Sequence, residues 1–354
     1  MILLNPGPVT LTPGVRDALA AEDLCHREPE FADLQATIRS RLRAVYELDE
    51  GWAAVLLSGS GTAAVEAMIS SLPGDDARLL IVENGVYGER MTKMAAIHGI
   101  AHETITLEWG AGIDTDVLAE RLAERQFSHL ALVHHETTTG RLNDLEAIGA
   151  VCAEYETPML VDAVSSFGAE AIDFTSLPIV AVAATANKCL HGAPGAAFVI
   201  VQRSALAVGR ARCLYLDLAT YCKKQDARST PFTPAIPAFH ALAQALAEHA
   251  EEGGWQARRT RYRRLARQVA DGLAEHGIEA VMDADHSSCV LRAYRLPEGM
   301  SYDTLHDHLK ADGFVIYAGQ GGLAASIFRI STMGAIDTVD MDRLIAAIAH
   351  LVHN

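Results

Sequence analysis

Residues 158–201 read PMLVDAVSSFGAEAIDFTSLPIVAVAATANKCLHGAPGAAFVIV, and this stretch decides the fold. It contains three short apolar runs, Pro158–Val161, Ile179–Ala183 and Ala196–Val201, in which hydrophobic residues do not alternate with polar ones. Strands that are covered on both faces of a sheet have this continuous pattern, whereas strands with one solvated face alternate. The stretch therefore predicts buried strands inside a layered α/β domain.

The same pattern extends upstream to about residue 52. Further apolar runs are Trp52–Leu57, Leu79–Val82 and Leu130–His134, and helical patterns such as Thr62–Ser71 and Leu145–Glu154 lie between the runs. Strands that alternate with helices predict a mostly parallel sheet between two helical layers. Ligands collect at the carboxyl ends of the strands in such sheets, so the residues that follow each run are the candidates for a site.

The pattern changes after Val201. A long Ala-rich helical stretch from about Ala238 to His276 resembles a bridge, and shorter strand and helix patterns follow it to the end of the chain. A chain of 354 residues also exceeds the roughly 250–300 residues at which single cores stop growing. We therefore predict a large α/β domain over 1–245, with the segment 1–14 packed near the active site, and a smaller α+β domain over 246–354.

The composition excludes several classes of function. The net charge of -16 and the pI of about 5.3 repel phosphate backbones and anionic lipids, so neither nucleic acid nor a membrane is expected as a partner. The six cysteines are scattered without the spacing of a zinc site or a disulfide framework, which favours a cytoplasmic protein. No metal site is predicted, since the adjacent His134 and His135 point to opposite faces of a strand.

A glycine-rich turn, Ser58-Gly59-Ser60-Gly61-Thr62, follows the first predicted strand and begins a helix. Glycines let the backbone approach an anion there, and the helix N-terminus and hydroxyls supply donors, so a phosphate site is one interpretation. An ordinary turn with Ser60 as the N-cap is another. The spacing Gly59-x-Gly61-x-x-Ala64, with Glu83 ending the next strand, also satisfies the fingerprint of nicotinamide-dependent dehydrogenases.

Two charged residues follow neighbouring apolar runs. Asp162 comes directly after Pro158–Val161, where a carboxylate removed from water requires a cationic partner. Lys188 lies between two apolar runs, and burial lowers a lysine's pKa until the amine acts as a nucleophile or base. A structural Asp cap and a surface lysine are the alternatives. Together with the glycine turn, these residues favour an aldehyde cofactor that carries a phosphate and a pyridine nitrogen, because a nicotinamide cofactor needs neither residue.

Motifs along the whole chain resemble those of the class V aminotransferases. They are Asn5-Pro6-Gly7-Pro8, His26-Arg27-Glu28-Pro29-Glu30-Phe31, Ser60-Gly61-Thr62, Asn84-Gly85-x-Tyr87-Gly88-x-Arg90, His135-Glu136-Thr137-Thr138-Thr139-Gly140, Val161-Asp162-Ala163, Ala186-Asn187-Lys188-Cys189 and Phe328-Arg329-Ile330. The resemblance implies a fold-type I transferase that depends on pyridoxal 5'-phosphate and acts as a homodimer on a small amine donor and a 2-oxo acid.

The resemblance also implies a role for each matching residue. Lys188 binds the cofactor and Asp162 pairs with its ring nitrogen. Ser60, Gly61 and Thr62 would hold the cofactor phosphate. Tyr87 would stack on the cofactor ring, and Thr137 would form a hydrogen bond near the ring oxygen. Pro8 and Arg329 would contact the substrate, whose acidic end Arg329 would bind.

The chain departs from the family pattern at two places. The family takes one phosphate contact from a threonine of the neighbouring subunit, but Ala235 or Ile236 stands at the expected position here, with Thr230 or Thr233 as possible replacements. Residues 317–320 and 331–334, near Arg329, also differ. The resemblance is greatest to enzymes that transfer the amino group of 2-aminoethylphosphonate to pyruvate. A transaminase for another small acid such as glyoxylate, a lyase, a dehydrogenase and a non-catalytic binding protein are the alternatives.

Overall fold

The computed structural model describes residues 1–353, which form fourteen strands and twelve α-helices. The strands are β1 (Ile2–Leu3), β2 (Trp52–Gly59), β3 (Arg78–Glu83), β4 (Ala101–Thr106), β5 (His129–Val133), β6 (His135–Glu136), β7 (Arg141–Leu142), β8 (Met159–Asp162), β9 (Ile179–Thr185), β10 (Gly195–Gln202), β11 (Leu291–Arg295), β12 (Phe314–Val315), β13 (Tyr317–Ala318) and β14 (Ile327–Ser331). The helices are α1 (Pro13–Ala18), α2 (Pro29–Ala44), α3 (Gly61–Ser71), α4 (Val86–Ile97), α5 (Thr115–Glu124), α6 (Leu145–Glu154), α7 (Arg203–Val208), α8 (Leu218–Asp226), α9 (Ile236–Glu251), α10 (Gly254–Ala274), α11 (Tyr302–Ala311) and α12 (Thr338–His353).

Seven strands form the central sheet in the order β2-β10-β9-β8-β5-β3-β4. Only β10 is antiparallel to its neighbours, so the other six strands run in one direction and end at the same edge. This confirms the prediction of a mostly parallel sheet. The edge strand β4 was not predicted, because its sequence AHETIT is largely polar and partly exposed and so has no apolar run.

The sheet lies between two helical layers, as predicted. Along β2, Ala54 and Leu56 belong to one hydrophobic core and Ala53, Val55 and Leu57 to the other. Successive side chains of a strand point to opposite faces, so this division shows that both faces of the sheet are buried. Because both faces are buried, the strands consist of continuous apolar residues and do not alternate with polar ones.

The C-terminal part of the chain has a separate core around a three-stranded antiparallel sheet, β11-β14-β13. Helices α10, α11 and α12 pack together there. The N-terminal strand β1 pairs with β12, and Leu4 is buried in the same core. The smaller α+β domain is therefore confirmed, and the N-terminus spans from it toward the central sheet.

The long helical stretch is divided in the structure. Helix α9 ends at Glu251 and α10 begins at Gly254, with Gly253 between them at a φ of +104°, which side-chain-bearing residues rarely adopt. Helix α9 packs on α2 of the large domain, whereas α10 packs on α12. The domain boundary between residues 245 and 246 stays a prediction.

None of the helices in residues 1–353 has the length and apolar character needed to cross a membrane.

Candidate active site

The structure brings Asp162 and Lys188 into one small cavity at the carboxyl edge of the central sheet. Asp162 is the last residue of β8, and Lys188 follows the neighbouring strand β9 by three residues. The other residues that line the cavity are Tyr87, Val133, His135, Thr137, Val164 and Ser165. A second lobe shares Tyr87, Asp162 and Val164 and adds Thr62, Val65 and Arg90.

The Lys188 amine is buried under the N-terminal segment. Its Nζ donates a hydrogen bond to the carbonyl oxygen of Pro6, and a Cβ at Gly7 would lie only 2.7 Å from Lys188 Cδ. Burial lowers the pKa of Lys188 to about 8, although the nearby Cys189 and Asp162 oppose that shift. Since a substantial fraction is then neutral near physiological pH, the amine is available as a nucleophile and base.

Asp162 is 5% exposed. Its Oδ1 accepts a hydrogen bond of 2.9 Å from the backbone N–H of Val164. Burial raises the pKa of Asp162 to about 6, against the opposing effects of that bond and of Arg90 and Lys188. A carboxylate with this environment gains most from a cation placed beside it, because its charge is otherwise poorly solvated.

The glycine turn reaches the second lobe through its last residue, Thr62. Helix α3 begins at Gly61, and Ser60 occupies the N-cap position, but its side chain makes no capping hydrogen bond. A Cβ on Gly61 would lie 2.7 Å from Val164, so only glycine fits there. The hydroxyl of Thr62 accepts a hydrogen bond of 3.2 Å from Arg90 Nη1. Free backbone N–H groups, two hydroxyls and a guanidinium together suit a phosphate.

Tyr87 and Arg90 both lie on the first turns of α4, facing the cavity. The Arg90 guanidinium carbon is 4.7 Å from the centre of the Tyr87 ring. This contact keeps the ring and the cation in fixed relative positions between the two lobes. The motif analysis included Arg90 without giving it a role, because its contact with Thr62 depends on how α3 and α4 pack.

Arg329 projects from β14 of the small domain and is 2% exposed. Its Nε donates to the carbonyl oxygen of Ala318 and its Nη1 to that of Thr137, both at 2.8 Å. Within residues 1–353 it forms no ion pair with a carboxylate, which excludes a surface salt bridge there. Backbone carbonyls therefore orient the guanidinium without neutralising it, so it remains available to an acidic ligand.

Comparison of the sequence with known families supports the interpretation of this cavity as an active site. A sequence model of the class V aminotransferases matches residues 17–339. The chain belongs to the class V aminotransferases. This membership confirms the family and the enzyme class predicted from the motifs, and it decides against the nicotinamide-dependent dehydrogenase and the non-catalytic binding protein.

Individual aminotransferases are similar over nearly their full length. The 2-aminoethylphosphonate–pyruvate transaminase of Salmonella schwarzengrund is 38% identical, with 98% of this chain and 96% of the relative covered. Among solved structures, the aspartate aminotransferase of Thermus thermophilus has a TM-score of 0.91 at 30% identity and covers 100% of this chain and 99% of its own. The alanine–glyoxylate aminotransferase of Nostoc has a TM-score of 0.92 at 29% identity, with 100% and 95% covered.

The cavity of this class V aminotransferase suits pyridoxal phosphate, the cofactor that the family implies. A side chain at position 61 would clash with Val164, so the turn exposes its backbone rather than a side chain beside Thr62, which lines the second lobe. Asp162 offers a buried carboxylate to a cationic ring nitrogen, and Lys188 offers an amine to an aldehyde. Of the residues that the motif comparison selected, Thr62, Tyr87, Thr137, Asp162 and Lys188 line the two lobes of one cleft, whereas Pro8, Ser60, Gly61, Thr233 and Arg329 do not line it.

His135 is a cavity residue that the sequence analysis missed. Its Nδ1 is 3.1 Å from the carbonyl oxygen of Ser165, so that nitrogen carries the proton. The Nε2 atom is buried without a hydrogen-bond partner, and burial lowers the pKa of the imidazole to about 4. His135 is therefore a neutral ring in the cavity wall, with one ring nitrogen free to accept a hydrogen bond. The one sequence signal for this location is that His135 follows β5, whose carboxyl end lies at the same edge of the sheet as the cavity.

Glu136 connects the elements around the cavity. Its Oε2 accepts from the backbone N–H of Tyr87 at 3.1 Å, at the start of α4, and its Oε1 accepts from the backbone N–H and hydroxyl of Thr138 at 3.1 and 2.6 Å. A Cβ on Gly85 would lie 2.2 Å from Glu136, so the residues before α4 and the β6 strand are in close contact. The carboxyl thus holds Tyr87 in position relative to the loop that carries Thr137.

We expect Glu136→Gln to change how stability depends on pH. Burial raises the pKa of Glu136 from 4.5 to about 7, so between these values the folded chain binds a proton that the unfolded chain releases. The free energy of unfolding contributed by this group therefore falls as pH rises through that window, and the glutamine variant lacks the decrease. Urea unfolding at pH 5 and pH 7.5 measures it, with the exposed Glu154→Gln as control. An equal pH dependence in both variants would contradict the assignment.

Thr233 lies away from the cavity of its own chain. It is exposed and lines a separate pocket with Leu56, Ser58 and Phe232. The hydroxyl of Thr230, the other candidate, donates a hydrogen bond of 3.0 Å to the carbonyl oxygen of Phe232. Thr233 is thus the freer of the two for a contact with a neighbouring subunit, and this contact stays a prediction. Pro8 is likewise exposed outside the cavity, while Pro6 contacts Lys188.

Proposed function

We propose that this enzyme uses pyridoxal 5'-phosphate to transfer the amino group of 2-aminoethylphosphonate to pyruvate, which yields phosphonoacetaldehyde and L-alanine in the cytoplasm. The observation that carries this proposal is the buried Arg329, whose guanidinium is oriented by two carbonyls but has no acidic partner within residues 1–353. The sequence identity of 38%, over 98% of this chain, to a transaminase of this name supports the same donor and acceptor.

Lys188, Asp162, Tyr87 and Thr137 would hold the ring of the cofactor, and the turn at Ser60, Gly61 and Thr62 would hold its phosphate. When bound, pyridoxal phosphate supplies an electron sink that stabilises negative charge on the carbon that loses its proton. Asp162 would keep the cofactor electron-withdrawing, because a carboxylate stabilises the proton on a pyridine nitrogen. Tyr87 would cover one face of the ring, and its own position is fixed by Glu136 and Arg90.

Lys188 would carry the proton in this reaction. Burial lowers the pKa of its amine to about 8, so near neutral pH the amine both accepts and releases a proton at modest cost. Pro6 and Gly7 cover the amine from the side of the N-terminal segment. This cover limits the access of water to Lys188 Nζ, which disfavours side reactions at the same atom.

Arg329 would bind the acidic end of each substrate in turn. A guanidinium presents paired N–H donors that match the oxygens of a carboxylate and those of a phosphonate. The donor carries a phosphonate and the acceptor a carboxylate, so one arginine serves both half-reactions. Since the chain has a net charge of -16, local cations such as Arg329 also favour the approach of an anion to this site.

We also propose that the enzyme is a homodimer. Thr233 lies on the exposed surface of its own chain, where its hydroxyl has no hydrogen-bond partner within residues 1–353. In a dimer it would contact the cofactor phosphate of the neighbouring subunit, as the family pattern implies.

A donor panel tests the substrate assignment. We expect L-alanine to form from pyruvate fastest with 2-aminoethylphosphonate, because the phosphonate pairs with Arg329 through two or more charged hydrogen bonds. Serine and aspartate serve as comparison donors, and glyoxylate replaces pyruvate in a parallel series. Alanine production is followed by chromatography with the cofactor in excess. No turnover of the phosphonate, with turnover of another donor, would reject the substrate while leaving the aminotransferase assignment intact.

A further inference from the structure

A cavity larger than the active-site cavity lies outside the active site, between the two domains. Its volume is about 650 Å³. Helix α10 supplies Arg259, Arg263 and Arg267, which are spaced four residues apart and so share one face of the helix, and β11 supplies Arg292. The floor is buried, since Glu170 and Cys289 are 1% and 5% exposed.

Two of these four arginines have no partner. Arg259 pairs with Glu170 at 3.1 Å, and Arg267 with Asp271 at 3.5 Å. Within residues 1–353, Arg263 and Arg292 form neither an ion pair nor a hydrogen bond, and the Nε of Arg292 is buried without an acceptor. Arg263 is exposed, so its guanidinium is free to meet a ligand, whereas Arg292 is half-buried. Leaving the buried Nε of Arg292 without an acceptor is unfavourable, so this position is suited to a ligand that brings one.

The acids around the cavity do not cancel this charge. Glu170 is held by Arg259 and accepts hydrogen bonds from Ser288 Oγ at 2.6 Å and from the Cys289 backbone N–H at 3.0 Å. These bonds satisfy its oxygens, and only the exposed Asp285 remains unpaired against the two free guanidiniums. The cavity is therefore locally positive in a chain whose net charge is -16.

This cavity is distinct from the active site. In the register of β11 and β14, Arg292 lies opposite Ile330, so it projects from the face of the small sheet opposite to that of Arg329. The floor nevertheless includes Leu142 of the β6–β7 hairpin, whose turn carries Thr137. Leu142 donates a backbone hydrogen bond of 3.0 Å to His286 of the small domain. A ligand in this cavity would thus contact both domains and the base of an active-site loop.

We propose that the cavity binds a small anion that carries a phosphate or phosphonate group, held between Arg263 and Arg292. The tetrahedral oxygens of such a group accept hydrogen bonds from two guanidiniums at once, which a single carboxylate does less well. The volume admits an organic substituent besides the anionic group. The site does not depend on the substrate proposed above, because none of its arginines lies in the active-site cleft.

Calorimetric titration of the full chain, saturated with pyridoxal phosphate, tests this site with inorganic phosphate and with ethylphosphonate at constant ionic strength. The double variant Arg263→Gln/Arg292→Gln is compared with Arg264→Gln/Arg295→Gln, which removes two exposed arginines from the same helix and strand. We expect the first variant to weaken binding roughly tenfold or more and the second to leave it unchanged.

Tighter binding of ethylphosphonate than of phosphate, lost in the first variant, would support an organic ligand, and equal binding would support the free ion. Any phosphate bound in the active site is common to both variants and does not affect the comparison. Equal affinity in the two double variants, or no binding to the unmodified chain, would overturn the proposal.

Discussion

Lys188→Ala is expected to lower the rate of transamination by roughly 10⁴-fold, the upper range for loss of a positioned acid–base group. In the structure Lys188 Nζ is the amine that lines the cavity beside Asp162. Without it, neither covalent attachment of an aldehyde nor proton transfer at the substrate carbon has a side chain to perform it. The rate of alanine formation and the absorbance of the bound cofactor measure the two roles separately.

Lys93→Ala is the matched control, because Lys93 is exposed on α4 and has no described partner. It should keep both the turnover and the cofactor absorbance of the unchanged chain. Added methylamine offers a further distinction, since a small amine that enters the space left by Lys188→Ala should restore part of the proton transfer. Full turnover by Lys188→Ala without added amine would refute the role assigned to this residue.

The residues at the carboxyl ends of the strands could be predicted from the sequence, whereas the side-chain contacts between different helices, strands and loops could not. Asp162 and Lys188 were found because both follow continuous apolar runs, and residues at the carboxyl ends of parallel strands share one edge. His135 was missed as a cavity residue, and Glu136 as the residue that fixes Tyr87, since their importance depends on contacts with Ser165 and Tyr87 that form only through tertiary packing.

The same distinction explains the errors in the fold. The strand β4 lies at the edge of the sheet, where one side is open to solvent, so its polar sequence satisfies the structure without an apolar run. The break between α9 and α10 depends on Gly253, a single residue whose left-handed φ turns the chain toward the small domain. Hydrophobic periodicity continues across this glycine, so periodicity alone predicted one uninterrupted helix.

Asp162→Asn is expected to lower kcat by about two to four orders of magnitude, because removing one partner of a buried ion pair costs roughly 3–5 kcal/mol. Asparagine keeps the shape of the side chain and can still accept the hydrogen bond from Val164, whose length is 2.9 Å. It lacks the negative charge that would stabilise a protonated pyridine nitrogen. Asp162→Glu retains that charge and should preserve more activity than Asp162→Asn.

The cofactor-free protein should respond in the opposite direction, and this contrast separates a functional from a structural role. Burial raises the pKa of Asp162 from 3.8 to about 6, so the carboxylate's contribution to the free energy of unfolding falls as pH rises through that interval. Above pH 6 the asparagine variant therefore unfolds at a higher urea concentration than the unchanged cofactor-free chain, although it is the poorer catalyst. A variant that is both inactive and less stable at pH 7.5 would show that Asp162 serves the fold. Greater stability with lost turnover would show instead that the buried charge is kept for the cofactor it binds.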